Sequence, residues 1–181
     1  GEITTEAYVS LPTVVRKTIR DIGYTDSSHG FDADTCAVLA SIDRQSPDIS
    51  QGVTEGQGLH AEQGAGDQGL MFGYACDETP EFMPLLIMTA HKIVHKLAEV
   101  RKGAEVDFLR PDSKSQATVP YEDGKLKRID AVVVPTPHAA EASWEQIRET
   151  VQELCLDRVL PSNFIDSDNK IYVNPTRRFV L

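Results

Sequence analysis

The order of hydrophobic periods between residues 83 and 174 constrains the fold of this chain more than any other feature. Residues 83–102 carry apolar side chains at helical spacing, with Leu86, Ala90, Ile93, Leu97 and Val100 on one face and Gly103 as the stop. Burying the four larger of these is worth about 1.5 to 3 kcal/mol each, so this helix is predicted to be a main packing element. The period then changes to two. Ser115, Ala117, Val119 and Tyr121 alternate with polar neighbours, residues 122–125 (EDGK) carry the D-G signature of a turn, and residues 126–134 return as a β-branched strand. Ser143 and Gln146 have the spacing of a capping box, ahead of a helical stripe of Trp144, Ile147, Val151, Leu154 and Val159. Residues 171–173 form a last strand, and LMFGYA at 70–75 reads as a buried one. The class is therefore α+β, with residues 70–174 in the order β-α-β-β-α-β, a mixed sheet carrying its helices on one face.

The first 42 residues read as half of a similar unit: a strand over 3–9, a helix from Pro12 to a stop at Gly23, and a strand over 36–42. Residues 43–69 lack any period and hold Pro47 and five glycines between 52 and 66, which predicts a long mobile loop of the kind that is usually functional or disordered. The expected organisation is residues 1–43 as the end of an N-terminal β/α repeat, 44–69 as a gating loop and linker, and 70–181 as a central domain. The chain opens at Gly1 with no initiator Met and closes at Leu181 in strand-like sequence, so both ends are expected to be cut.

Composition removes several classes of function. Lys plus Arg number 18 against 28 Asp plus Glu, a net charge of -10, so a phosphate backbone would be repelled and nucleic acid is not an expected partner. The longest apolar run, MPLLIMTA at 83–90, falls far short of the ~20 residues of a membrane span, and no signal segment opens the chain. A soluble, cytoplasmic protein is expected. Cys36, Cys76 and Cys155 are odd in number and contain no C-x-x-C, which argues against a disulfide framework or a zinc site and for buried small hydrophobes.

Four motifs invite a functional reading. Residues 64–69 match G-x-G-x-x-G, yet a loop precedes them and a strand follows, so a dinucleotide site is rejected. Either a flexible lead into a strand or a close backbone approach to a ligand, with Asp67 as its charge, remains. Asp112 and Lys114 sit two residues apart at the mouth of a strand and so share a side, which suits a nucleoside phosphate as well as a surface ion pair. Arg177, Arg178 and Phe179 could stack on and charge-pair a base, or form a solvated basic edge. His91 and His95 have the i, i+4 spacing of metal ligands, but without the Glu of H-E-x-x-H and with Lys92 and Lys96 beside them they read as a solvated face. No metal ligand set is expected within the chain.

Several segments in order, GEITT at 1–5, GFDAD at 30–34, QSPDI at 45–49, EQGAGDQGLMFGYA at 62–75, DET at 77–79, AEVRK at 98–102 and LRPDSKSQ at 109–116, together resemble S-adenosylmethionine synthetase, also called methionine adenosyltransferase. The resemblance spans nearly the whole chain. It implies synthesis of S-adenosylmethionine from ATP and methionine, hydrolysis of the expelled triphosphate to pyrophosphate and phosphate, Mg²⁺ and K⁺ as cofactors, and a homo-oligomer. It also implies roles for single residues. Glu2, Gln45 and Asp67 would bind methionine, with Asp67 supplied across a dimer interface. Asp112, Ser113 and Lys114 would contact ATP, with Lys114 on the phosphates, and Arg178 and Phe179 would meet the adenine. Gln45, Ser46, Pro47, Asp48, Ile49, Gln51, Gly52 and Glu55 would belong to the gating loop that excludes water.

The chain departs from the family pattern at two levels. It lacks the H-P-D-K motif and the G-G-P-x-G-D and G-R-K-rich segments that serve metal and triphosphate, so low activity in isolation is expected, and a non-catalytic binding or oligomerisation module is the alternative. It also carries Arg177 where the family motif N-P-T-G-R-F has Gly, so a positive φ there would strain the turn by about 1 kcal/mol or more.

Overall fold

The computed structural model describes residues 1–66 and 68–181. In chain order the elements are β1 (Glu2–Ile3), α1 (Leu11–Ile22), β2 (Asp43–Arg44), α2 (Pro47–Val53), α3 (Leu85–Lys102), β3 (Gln116–Thr118), β4 (Tyr121–Glu122), β5 (Lys125–Leu126), β6 (Ala131–Val134), α4 (Trp144–Val151) and β7 (Lys170–Val173). The class is α+β, as the order of periods predicts.

The organising layer is a three-stranded mixed sheet in the order β3-β6-β7. β6 pairs antiparallel with β3, Ala117 opposite Val132, and parallel with β7, Val134 opposite Val173. Val132 and Val134 alternate inward from β6 and join Val173, the α3 residues Ile93, Leu97 and Val100, and the α4 residues Ile147 and Val151 in one hydrophobic core. Both helices thus cover the same face of the sheet. Full burial of each such side chain is worth about 1.5 to 3 kcal/mol, and this cluster is where the chain gains most of its stability.

The D-G turn forms as read. Asp123 and Gly124 have φ of 51° and 72°, the two left-handed residues of a tight hairpin turn, and they join β4 to β5. Ser143 caps α4, its Oγ accepting from the Gln146 N–H at 3.1 Å. At the start of α3 the Glu78 carboxylate accepts from the Leu85 N–H at 2.8 Å, where a negative charge also meets the helix dipole.

Several expectations are corrected. The inward stripe of α3 runs through Leu85 and Thr89 to Ala90, Ile93, Leu97 and Val100, while Leu86 is 37% exposed. α4 is not followed by a uniform helix. A π turn at Gln152–Leu156 widens it, so that the adjacent Cys155 and Leu156 are both fully buried and Leu154 is only half-buried. Burial pushes the Cys155 thiol up to about 11, whereas Cys36 and Cys76 are only half-buried. The strand expected at 3–9 forms only at Glu2–Ile3, and residues 36–42 and 70–75 form no strand at all. Leu39 and Phe72 are 96% and 91% exposed. β-branched and aromatic composition favours a strand only where a neighbouring strand accepts its ladder, and these segments have no such partner among the described residues.

Residues 43–69 are not without structure either. Pro47 opens α2, a two-turn helix whose first and last bonds are Ser50 N–H to the Ser46 carbonyl and Thr54 N–H to the Ser50 carbonyl, both 2.8 Å. Gly64 packs on this helix: a Cβ there would collide with the Gly52 carbonyl oxygen. The close approach that the glycine permits is therefore to the chain's own backbone.

Candidate functional site

Residues 135–138 (PTPH) continue the line of β6 and carry the candidate site on both flanks. Pro135 and Pro137 have no N–H, so at these positions the backbone only accepts. Lys114 N–H donates to the Pro135 carbonyl and Arg110 N–H to the Pro137 carbonyl, both at 2.9 Å, which docks the D-S-K segment along one side. On the other side Asn174 N–H donates to the Val134 carbonyl at 3.1 Å and His138 N–H to the Phe179 carbonyl at 2.9 Å. Ladder bridges at Leu109 with His138 and at His138 with Val180 complete the alignment. Asp112, Ser113 and Lys114 are thus brought to one side of a common strand, and Arg178 and Phe179 to the other. The strand end involved is the carboxyl end of the parallel pair β6/β7, where parallel sheets commonly place ligands.

Buried polar groups lock the two flanks together. Asn174 is 1% exposed; its Oδ1 accepts from Thr136 N–H at 2.8 Å and its Nδ2 donates to the Thr136 carbonyl at 2.9 Å. Thr136 Oγ1 in turn hydrogen-bonds Ser113 Oγ at 2.9 Å. Leaving one such buried group without a partner costs about 1 to 3 kcal/mol, so Ser113, Thr136 and Asn174 hold a single arrangement. Ser113 is half-buried toward Thr136, while Asp112 and Lys114 are exposed on the opposite side, although Asp112 takes a left-handed φ of 71°. Among the described residues neither Lys114 nor Arg178 forms an ion pair, and both charges are open to a ligand.

Phe179 is held by a histidine. Its N–H donates to His138 Nε2 at 3.1 Å, and His138 Nδ1 lies 2.8 Å from the Ala139 carbonyl. Arg177 does adopt the left-handed region, with φ of 64°. The strain of about 1 to 2 kcal/mol is partly offset, since its guanidinium lies 4.9 Å from the centroid of the Trp144 ring, a contact worth about 0.5 to 1 kcal/mol. Trp144 is itself fixed by donation from Nε1 to the Val173 carbonyl at 3.0 Å.

A second group of candidates gathers at the other end of the chain. β1 and β2 pair in parallel with Glu2 opposite Asp43 and Ile3 opposite Arg44, and Gln45 directly follows this small ribbon. Glu2 is exposed and Gln45 half-buried just ahead of α2. No ion pair joins Glu2 to Lys114 or Arg178 among the described residues. Asp67 lies outside the described residues.

Residues 62–179 match the S-adenosylmethionine synthetase central domain and residues 1–47 match the S-adenosylmethionine synthetase N-terminal domain. The chain belongs to the S-adenosylmethionine synthetase family. It is 57% identical over all 181 residues to the S-adenosylmethionine synthase of Syntrophobacter fumaroxidans, of which it spans 46%. It is 57% identical to that of Sorangium cellulosum and 55% identical to that of Desulfosudis oleivorans, spanning 43% and 47% of them. The chain thus covers somewhat less than half the length of these relatives.

The residues that sequence reasoning passes over are Thr136, His138 and Asn174. Each is a buried polar side chain at the edge of an apolar strand, and P-T-P-H does carry one signal: alternating prolines mark a strand that gives carbonyls to a neighbour instead of taking part in a full ladder. His91 and His95 are exposed, and His95 pairs with Glu99 at 3.1 Å. Among the described residues no group of three or more His, Cys, Asp or Glu is placed to hold a metal ion, and no helix is long and apolar enough to cross a membrane.

Proposed function

We propose that this chain supplies the nucleotide-binding half of an S-adenosylmethionine synthetase, with Lys114 on the phosphates of ATP and Arg178 and Phe179 at its adenine. The observation that carries the reading is the placement of two unpaired cations, Lys114 and Arg178, on opposite flanks of one strand locked by Ser113, Thr136 and Asn174. In a chain of net charge -10 such cations concentrate the field on a polyanion. Asp112 accepts from the ribose hydroxyls, and Ser113 holds the ATP-contacting segment in place through Thr136. In the reaction the methionine sulfur lone pair attacks C5′ of ATP, the C5′–O bond breaks with its electrons leaving on the triphosphate, and the triphosphate is then hydrolysed to pyrophosphate and phosphate. Lys114 stabilises the charge that develops on that leaving group.

Glu2 and Gln45 form the methionine side, the Glu2 carboxylate taking the substrate ammonium, with Asp67 added from a second copy of the chain. Gln45, Ser46, Pro47, Asp48, Ile49, Gln51, Gly52 and Glu55 act as the gate over it, and α2 moves as a unit because residues 47–53 share its hydrogen bonds. The domain limits that go with this reading are 1–43, 44–69 and 70–181. Mg²⁺ and K⁺ belong to the full reaction, but among the described residues no group of three or more His, Cys, Asp or Glu is placed to hold a metal ion.

The 181-residue chain alone has little activity on this account, because Lys114 and Arg178, with no metal-binding group of three or more His, Cys, Asp or Glu among the described residues, are too few to stabilise a triphosphate leaving group. The exposed apolar residues of α1 and of 70–75 favour a homo-oligomer and keep a second reading open, a binding or oligomerisation module that retains the synthetase fold. Nucleic acid is not a partner, and the compartment is the cytoplasm. Calorimetry with ATP and with methionine, alongside an assay for S-adenosylmethionine, separates these readings. Weak ATP binding that Lys114→Ala abolishes, without turnover, is expected. Rapid turnover by the chain alone contradicts the inactivity, and absence of any heat favours the module.

A further inference from the structure

We infer that His138 is a positioning residue for the nucleotide, a neutral imidazole in one fixed tautomer that sets Phe179 at the adenine; this rests on the ATP-binding reading above. A backbone N–H can only donate, so the Phe179 N–H at 3.1 Å requires an unprotonated Nε2. A backbone carbonyl can only accept, so the Ala139 oxygen at 2.8 Å requires the proton on Nδ1. The two bonds together leave a single protonation state. His138 is 2% exposed, so bulk solvent has little access to either nitrogen.

The backbone of the same residue donates to the Phe179 carbonyl at 2.9 Å, so Phe179 is gripped at both its N–H and its C=O by one residue. The imidazole accepts the Phe179 N–H in place of a backbone carbonyl. The strained Arg177 lies immediately before, at φ of 64°, and Thr176 Oγ1 reaches the Arg178 carbonyl only at 3.3 Å. The Arg177 N–H bond to the Asn174 carbonyl at 2.7 Å closes the turn, and His138 then restrains where it delivers the aromatic side chain. Lys114 is held by a different contact, the Pro135 carbonyl, and does not depend on the imidazole.

The separation of the two supports defines the test, carried out on the 181-residue chain by calorimetry with ATP and with inorganic tripolyphosphate. His138→Ala is expected to weaken ATP by roughly three- to tenfold, the loss of one buried hydrogen bond, and to leave tripolyphosphate within about twofold. His138→Gln, which can accept from Phe179 and donate to Ala139, is expected to recover most of the ATP affinity. Circular dichroism reports folding, and should H138A fail to fold, His138→Leu keeps the volume without the acceptor and takes its place. Equal weakening of ATP and tripolyphosphate, no weakening of ATP, or no rescue by Gln each overturns the inference while leaving ATP binding intact. Failure of the unmodified chain to bind ATP overturns both the inference and the reading beneath it.

Discussion

α1 and α3 both carry an apolar face, and of the two only α3 buries it. α3 places Ile93, Leu97 and Val100 in the common core at no more than 2% exposure, whereas Val14 and Ile22 of α1 stay about half exposed and α1 has no buried residue. α1 is held by polar contacts. Arg16 donates to the carbonyls of Ala33, Asp34 and Cys36 at 2.6, 2.9 and 3.0 Å, and Arg101 reaches back from α3 to the Ile22 carbonyl at 2.8 Å. Gly23, at φ of 118°, makes room for that guanidinium, since a Cβ there would collide with it. The same helical pattern thus yields a core element in one region and a tethered one in the other. What differs is the supply of apolar partners, and an amphipathic pattern reports a helix without reporting what covers it.

The contrast can be broken most strongly in the core. Ile147→Ala should cost about 2 to 5 kcal/mol, whereas Val14→Ala should stay within about 0.5 kcal/mol, both read from urea midpoints. Equal effects would remove the distinction between the two regions. Arg16→Ala comes next: the loss of three charge-assisted bonds should speed hydrogen exchange across residues 32–36 while the urea midpoint of the core holds. Cooperative loss of the core would mean the regions are one unit.

Smaller effects sharpen the picture at the site and at the hairpin. Arg177→Gly removes both the left-handed strain and the contact with Trp144, so stability should move by less than about 1 kcal/mol while the emission of Trp144 changes. The Tyr121 hydroxyl, pushed up to about 12 by burial and by its hydrogen bonds to Glu78, ties the β4–β5 hairpin to the start of α3. A phenol raised in the folded state contributes stability below its ordinary value of 10.0, and that contribution fades as pH rises toward about 12. Tyr121→Phe should flatten this alkaline decline, by a small amount because Tyr121 is 41% exposed.

Legibility in the sequence followed the same divide. α3, the Asp123-Gly124 turn and the Ser143 cap were readable because each depends on neighbours within a few residues. Residues 36–42 and 70–75 were misread as strands because strand formation depends on a ladder partner that local composition does not specify. The π turn left no mark either, since no Gly or Pro announces it and only tertiary packing of Cys155 and Leu156 reveals it. At the candidate site the alternation expected across Asp112 and Lys114 is interrupted by the left-handed φ of 71° at Asp112, whereas the left-handed position of Arg177 was readable. The buried polar lock was not: Thr136, His138 and Asn174 are single residues whose partners lie 23 to 41 positions away.

Hydrogen exchange with and without ATP tests the central claim most directly, that the nucleotide is gripped by the rigid central layer and not by the tethered N-terminal region. The account predicts slowest exchange in β6 and β7, fast exchange at residues 5–10 and 70–75, and added protection on ATP at residues 112–114 and 177–179. Protection confined to residues 1–66, or none at all, would contradict it.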